Sequence, residues 1–325
     1  LKHPIFILGA HKSGTSLLRS LFDSHSQLFT IPFEAHYFEL SQHWVENPYR
    51  KTSPQPRKAA TTRKAMIEYM QLLNQSDDRY ADSVMKDRID TARFEAQLQI
   101  NDQLPEEQWI ENYFAAIARS LGHEAGIDRL RVVEKSVENG EFAIELSRLF
   151  PSAKFIHIVR NPYSNIVALR KYKSIGFGFP LIDKLFNTLS NNFYWLEKNQ
   201  KNIENYLLVR YEDLLTNPKN TLDQICNFLD LNFEETLLVP TSQGVQWKGN
   251  STSNKQFSGI DASNLDKWKK ELLPIEAAFI NRHLAFIVEK YGYEKYECEG
   301  SEWKRGKGES LKRYFYNRLY RYYLH

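Results

Sequence analysis

Cysteine is nearly missing. Of 325 residues only Cys226 and Cys298 carry a thiol, and neither sits in a C-x-x-C pair. Two isolated thiols build neither a disulfide framework nor a cysteine zinc site. The nine histidines lack the H-E-x-x-H pattern and any clustered ligand spacing, so no metal is expected to be required. Apolar runs are short, and none approaches the ~20 residues that cross a bilayer. A surplus of one charge is lacking too: 43 basic against 40 acidic residues leave +3, which is too mild to imply nucleic acid as a partner. No internal repeat is visible. Cytoplasmic residence is the expectation, with an upstream signal or anchor left open by a chain that begins at Leu1.

What is present is an ordinary soluble composition, 42% hydrophobic and 26% charged, with aromatics at 14%. The length suits one elaborated α/β domain or two small ones. Ile5 to Leu8 reads as a buried strand, and Leu17, Leu18, Leu21 and Phe22 have helical spacing after it. "RVVEKS" (131–136), "KFIHIVR" (154–160) and "YLLVR" (206–210) read as further strands. Helices are expected over 138–150, from Pro162, over 182–199, 218–229 and 274–291. Alternating strands and helices imply a parallel sheet covered on both faces. Residues 35–128 interrupt that rhythm. They are polar, broken by prolines, and helical around 58–73 and 105–121. The fold class is therefore α/β, a P-loop-type parallel sheet with a helical insertion after its first βα unit, placed over the mouth of the sheet.

Between the first strand and helix lies "GAHKSGTS", residues 9–16. Gly9 and Gly14 have the spacing of the phosphate loop G-x-x-x-x-G-K-[ST], and Ser16 closes it. The lysine position holds Thr15, and Lys12 stands earlier. Helix N-terminal amides, the hydroxyls of Ser13, Thr15 and Ser16, and Lys12 make an anion site. A kinase would add an acid at the end of another apolar strand to hold Mg²⁺. Arg160 and the pair Arg210 and Tyr211 stand there instead. The site neutralises phosphates with cations.

These residues resemble the sulfotransferases that use 3′-phosphoadenosine 5′-phosphosulfate (PAPS). "FILGAHKSGTSLLRSLFDSH" is similar to the family's 5′-phosphosulfate loop, with Lys12 as its basic residue. "LFPSAKFIHIVRNP" resembles the strand and arginine that bind the 3′-phosphate, here Arg160. "LLVRYEDLLTNP" resembles the segment whose tyrosine, Tyr211, lies near the nucleotide. "WKGNSTSNKQF" resembles the loop over the nucleotide, which implies roles for Ser251 and Lys255. The closest branch contains tyrosylprotein and bacterial carbohydrate or small-molecule sulfotransferases. One position departs: the family serine eight residues after the arginine is Ala168 here, with Ser164 nearby and Arg170, Lys171 or Lys255 as substitutes.

The resemblance implies a sulfotransferase domain over 1–295, PAPS as donor, PAP as product and no metal. It also implies an acceptor hydroxyl on a carbohydrate or glycolipid, with peptide tyrosine or a small molecule as rivals. Lys12 and Lys135 would stabilise the transferring group, since ligands bind at the carboxyl ends of parallel strands. Glu34 is the expected base, and His36 and Glu134 are its rivals. A kinase and a silent nucleotide- or glycan-binding protein remain the alternative functions. Asn250 opens an N-x-S/T sequon that should go unused in such a loop. The tail 296–325 is basic and aromatic, and its stripe Leu311, Phe315, Leu319, Tyr322 is expected to pack on the body.

Overall fold

The first strand, Ile5–Gly9 (β1), is buried at every position because neighbours flank it on both edges and both faces. The computed structural model describes residues 3–42, 58–76, 84–123, 130–175, 178–250, 259–297 and 310–324. After β1 the chain forms Thr15–Phe22 (α1), Leu28–Thr30 (β2) and Tyr37–Leu40 (α2). The insertion supplies Ala59–Gln75 (α3), Thr91–Gln97 (α4) and Glu106–Ser120 (α5). The α/β rhythm resumes with Arg131–Glu134 (β3), Asn139–Leu149 (α6), Lys154–Val159 (β4), Pro162–Lys173 (α7), Ile182–Asn202 (α8) and Tyr206–Arg210 (β5). It closes with Tyr211–Thr216 (α9), Pro218–Leu229 (α10), Pro274–His283 (α11), Ala285–Lys290 (α12) and Leu311–Leu324 (α13).

The sheet order is β2-β3-β1-β4-β5, and every pairing is parallel. Its strands turn alternate residues to opposite faces. Phe6, Leu8, Phe29, Val132 and Phe155 enter a core with Met66 and Met70 of α3 and Tyr113 of α5. Ile5, Ile7, Val133 and Ile156 pack instead with Leu18 and Leu21 of α1 and Ile225 of α10. A third cluster joins α7, α8, α11 and α12, where the rings of Phe186 and Phe279 stack at 3.8 Å. The carboxyl ends of β1, β3, β4 and β5 lead into Gly9, Lys135, Arg160 and Tyr211, all along one edge. Chain order reverses on either side of β1, the place where open α/β sheets bind ligands.

The expected helices over 105–121, 138–150 and 218–229 form within a residue of those bounds. Strand β2 and helix α9 were not expected. Three residues at a sheet edge carry too little periodicity to read, and α9 follows β5 with no break residue between them. The single helix expected over 274–291 is two, divided at Leu284. The insertion does more than cover the mouth, because the apolar sides of α3 and α5 complete one core face. The tail stripe does not pack on the body: Leu311 and Phe315 are exposed. The side chains of Leu319 and Tyr322 lie outside the described residues.

Two glycines test this architecture. Gly14 caps α1 at φ 107°, and a Cβ there would come within 2.7 Å of Tyr211 Cε2. Gly140 sits in α6 with open space where its Cβ would be. Urea melts should show Gly14→Ala destabilised by about 1–3 kcal/mol through overpacking. The same melts should show Gly140→Ala stabilised by about 0.4–1 kcal/mol through reduced unfolded-state entropy. Equal behaviour of the two variants would contradict the packing described.

Candidate active site

The loop after β1 is pinned from α7. Arg160 Nη1 donates to the Lys12 carbonyl at 2.7 Å, and Asn165 Nδ2 donates to the His11 carbonyl at 2.9 Å. Lys12 is held at φ 64°, a left-handed conformation uncommon for a side-chain-bearing residue. With those carbonyls tied back, the first-turn amides of α1 have no carbonyl one turn earlier to pair with. Lys12, Gly14, Thr15 and Ser16 line a cavity of about 1010 Å³. Ser13 does not: it is buried behind the loop, and its Oγ makes no hydrogen bond. The hydroxyl role expected of Ser13 therefore fails, because the turn points it into the body.

Arg160 serves the loop and faces the cavity. Its Nε donates to Ser164 Oγ at 3.0 Å, and its guanidinium lies 4.6 Å over the Tyr211 ring. Ser164, Ala168 and Lys171 share the cavity side of α7, as three- and four-residue spacing dictates, and Arg160 lines the cavity just before the helix. Ala168 does occupy the wall where the family hydroxyl is expected. Arg170 cannot replace it, since its Nε is bonded at 2.7 Å to the buried Glu276 and Nη2 donates to the Glu271 carbonyl. Lys171 reaches the wall while paired with Glu271. Ser251 and Lys255 lie outside the described residues. Asn250 was read only as an unused sequon, yet it bridges the loop. Its Nδ2 lies 3.3 Å from Ser16 Oγ, and its carbonyl accepts from Lys12 Nζ at 3.3 Å.

At the other end of the cavity Lys135 Nζ bonds the Glu34 carboxylate. His36 Nε2 lies 3.6 Å from Glu34, and its Nδ1 is 2.8 Å from Glu138. Burial alone would lower the His36 pKa. The hydrogen bond and charge of Glu138, helped by Glu34 and Glu39, overcome this and raise it to about 9. Glu138 would be raised by its burial, but His36 holds it below the usual carboxylate range. At neutral pH His36 is thus an imidazolium with no lone pair for a proton. Glu134 is buried and absent from the cavity wall. Its Oε1 accepts from the Ala35 amide at 3.2 Å, while Ser136 Oγ accepts from the His36 amide at 3.0 Å. The end of β3 thereby positions the Glu34–His36 segment. Of the three candidate bases, Glu34 alone brings a carboxylate to the cavity wall.

Glu34, His36 and Glu138 place one potential metal-ligand atom each within 4.8 Å of one another. Linear spacing hid this trio, because its members come from two loops. The contact with the Lys135 ammonium and the proton on His36 both oppose a divalent cation there.

The remaining wall escaped the sequence reading. Tyr69 of α3 donates to the Glu34 carbonyl at 2.7 Å, and Phe33, Leu73 and Val137 continue the surface. Tyr172 lies under Lys12 Nζ at 4.5 Å and beside His11 at 6.0 Å. Burial pushes the His11 imidazole down to about 4, so it stays neutral. Only the i to i+4 pairing of Tyr69 with Leu73 could have signalled this wall.

Comparison with known proteins fits these features. A model of the sulfotransferase family matches residues 4–235, and a sulfotransferase-domain model matches residues 187–292. The omega-hydroxy-beta-dihydromenaquinone-9 sulfotransferase of Mycobacterium bovis is 24% identical over 317 residues, covering 91% of this chain and 76% of that protein. The sulfotransferase domain of the curacin biosynthetic pathway superposes with a TM-score of 0.53 at 23% identity, over 91% of this chain and 99% of that one. The sulfotransferase domain of the Synechococcus PCC 7002 olefin synthase gives 0.52 at 22% identity, over 90% and 97%. These likenesses support the same fold, and the family match spans the loop, Glu34, Lys135, Arg160 and Tyr211. The chain belongs to the sulfotransferase family and is a PAPS-dependent transferase.

Proposed function

We propose that the protein transfers the sulfuryl group of PAPS in line to an acceptor hydroxyl, with Glu34 as general base. The observation that carries this reading is the meeting of Lys12, Arg160 and the Glu34–Lys135 pair on one cavity. The residues fit such a donor. Gly14 keeps the backbone bare where a Cβ would strike Tyr211, and Lys12, Arg160 and Lys171 supply positive charge. The kinase alternative would need a strand-end acid facing the cavity, and Glu134, which ends β3, is instead buried off the cavity wall and bonded to the Ala35 amide, Ser136 and Asn139. Glu212 after β5 is committed elsewhere, with Oε1 accepting from the Asn161 amide and Oε2 from the Tyr293 hydroxyl, both at 3.0 Å.

Bound there, PAPS supplies a sulfuryl group on a phosphate leaving group. Lys12 and the α1 amides would counter charge on that phosphate, and Arg160 would hold the 3′-phosphate. Glu34 would take the acceptor proton as the hydroxyl oxygen bonds to sulfur and the bond from sulfur to the 5′-phosphate oxygen breaks, with PAP leaving. Lys135 fixes the carboxylate and adds positive charge beside the transfer path. The imidazolium of His36 keeps a second cation against Glu34. No divalent metal is needed in this scheme, so EDTA should leave turnover intact.

The acceptor is a hydroxyl on a lipid-borne group, a glycolipid or another lipid alcohol. Phe33, Tyr69, Leu73 and Val137 make the wall beside Glu34 apolar and aromatic, which suits a ligand with an apolar body. The Mycobacterium bovis relative is named for a hydroxylated menaquinone, which agrees with this preference over a free sugar. Labelled PAPS offered to glycolipids, polyprenyl alcohols, free glycans and tyrosine peptides decides it. Transfer to free glycans or peptides alone would remove the lipid reading.

Arg160→Ala should weaken PAP by roughly 10- to 150-fold, the worth of a lost charge-assisted contact. Titration calorimetry should show a much smaller loss for adenosine 5′-phosphosulfate, which has no 3′-phosphate. Equal losses would mean that Arg160 acts only by pinning the Lys12 carbonyl.

Glu34→Gln should lower turnover roughly 10²–10⁴-fold with little change in PAP affinity. An acceptor acidic enough to ionise unaided should regain much of the rate. A variant that keeps normal turnover would rule out Glu34 as the base.

His36 gives a pH test. Its folded pKa is raised, so its stabilising share is complete below the ordinary imidazole value of about 6.5. That share is lost as pH rises through about 9. Both kcat/KM and melting temperature should fall on that alkaline limb, and His36→Gln should flatten it. An unchanged limb in His36→Gln would assign it to another group.

A further inference from the structure

Helix α13 rests on the body by its polar side. Asn317 is buried, accepting from the Ile182 amide at 3.1 Å and donating to the Pro180 carbonyl at 3.3 Å. Arg313 Nη1 donates to the Phe179 carbonyl at 2.9 Å. One-turn spacing puts Arg313 and Asn317 on the same side of the helix. The opposite side is apolar and open: Leu311 is 61% exposed and Phe315 58%. This inverts the ordinary arrangement, in which the apolar stripe of a surface helix faces the core.

The charge of the segment says what such a face would meet. From Ser310 to His325 the chain carries Lys312, Arg313, Arg318 and Arg321 and no acidic residue. The whole chain is only +3, so its entire positive surplus lies in this segment. Lys312 and Arg318 are exposed and flank the Leu311–Phe315 stripe. Apolar and aromatic side chains bordered by cations are the pattern of a helix that lies in the plane of an anionic lipid surface. Its 14 residues give a length of roughly 21 Å, enough for an interfacial contact and short of a bilayer span.

We infer that α13 docks the protein on an anionic bilayer through Leu311 and Phe315, with Lys312 and Arg318 at the headgroups. Arg313 ties this surface to the reaction, because it lines the cavity that holds Glu34 and Lys12. Docking would set the cavity beside the lipid. The inference does not rest on the acceptor reading, since a membrane contact can serve any acceptor.

The test is co-sedimentation of the full chain with extruded vesicles. One set is phosphatidylcholine, and the other contains roughly one third phosphatidylglycerol. Binding to the anionic set alone is expected, weakening as salt rises from ~0.1 to ~0.5 M. Leu311→Glu/Phe315→Glu should lower partitioning roughly tenfold or more. Lys312→Gln/Arg318→Gln should lower it about fivefold per cation removed, and this pair leaves the Asn317 anchor untouched. Phe286→Glu, on an exposed ring of α12, should change nothing. Unaltered melting temperatures and PAP-induced shifts separate lost docking from lost folding. Equal binding to neutral vesicles, or full retention by either double variant, would overturn the inference. So would light scattering that shows a wild-type dimer dissolved by Leu311→Glu/Phe315→Glu, because a second copy would then be the occupant.

Discussion

A buried carboxylate under the cavity holds the acceptor end together. Glu134 ends β3 and is closed off from solvent, a costly place for charge. Burial, with the nearby charge of Glu138, pushes its pKa up to about 7 despite the donors around it. Those donors are the Ala35 amide, Ser136 Oγ and Asn139 Nδ2. The Ala35 amide belongs to the segment that carries Glu34 and His36. Ser136 completes the clip through the His36 amide, and Asn139 opens α6, so the same carboxylate joins the segment to the sheet and to the following helix. His36 at φ 50° is a backbone conformation that needs such support.

Resting on that clip, the charges gather around the cavity. Lys12 and Arg160 line it at the loop, Glu34, His36 and Lys135 line it beside one another, and Glu138 is buried behind His36. His36 keeps its proton because two carboxylates face its two ring nitrogens. A histidine with intrinsic pKa near neutrality looks the better base in isolation. Its surroundings keep it protonated, and the neighbouring Glu34 carboxylate lies on the cavity wall. His11 shows the opposite outcome one loop away, where burial beats charge and leaves a neutral ring against Tyr172. Two imidazoles in one cavity thus differ by a full proton near neutral pH.

The parallel sheet and the phosphate loop were legible in the sequence because each rests on local pattern. Four of the five strands are short apolar runs, and "GAHKSGTS" joins the first to its helix. Lys135, Arg160 and Tyr211 follow strands read in the sequence, and the structure sets them on one cavity with Glu34, which was placed only as following the first helix. What escaped depends on contacts across the fold. Ser13 and Thr15 look alike in the loop, yet the turn buries one behind it and sets the other on the cavity. Glu138 joins His36 across 102 residues. Asn250 read as a sequon until its contacts with Ser16 and Lys12 gave it another role. Arg170 and Lys171 are adjacent cations, and only helical phase decides that one meets Glu276 while the other reaches the cavity.

That phase also explains how the family serine can be absent. At position 168 a hydroxyl would add one hydrogen bond to a charged acceptor, worth about 1.5–3 kcal/mol. Arg160 is charged, and its approach is already restricted three ways: by Ser164 at Nε, by the Lys12 carbonyl at Nη1 and by the Tyr211 ring below. A guanidinium so held loses little further freedom when it meets a phosphate. Ser164, one turn before Ala168, therefore contributes through Arg160 and need not touch the ligand. The same bond network fixes the left-handed Lys12, so the arginine's pose and the loop's shape stand or fall together.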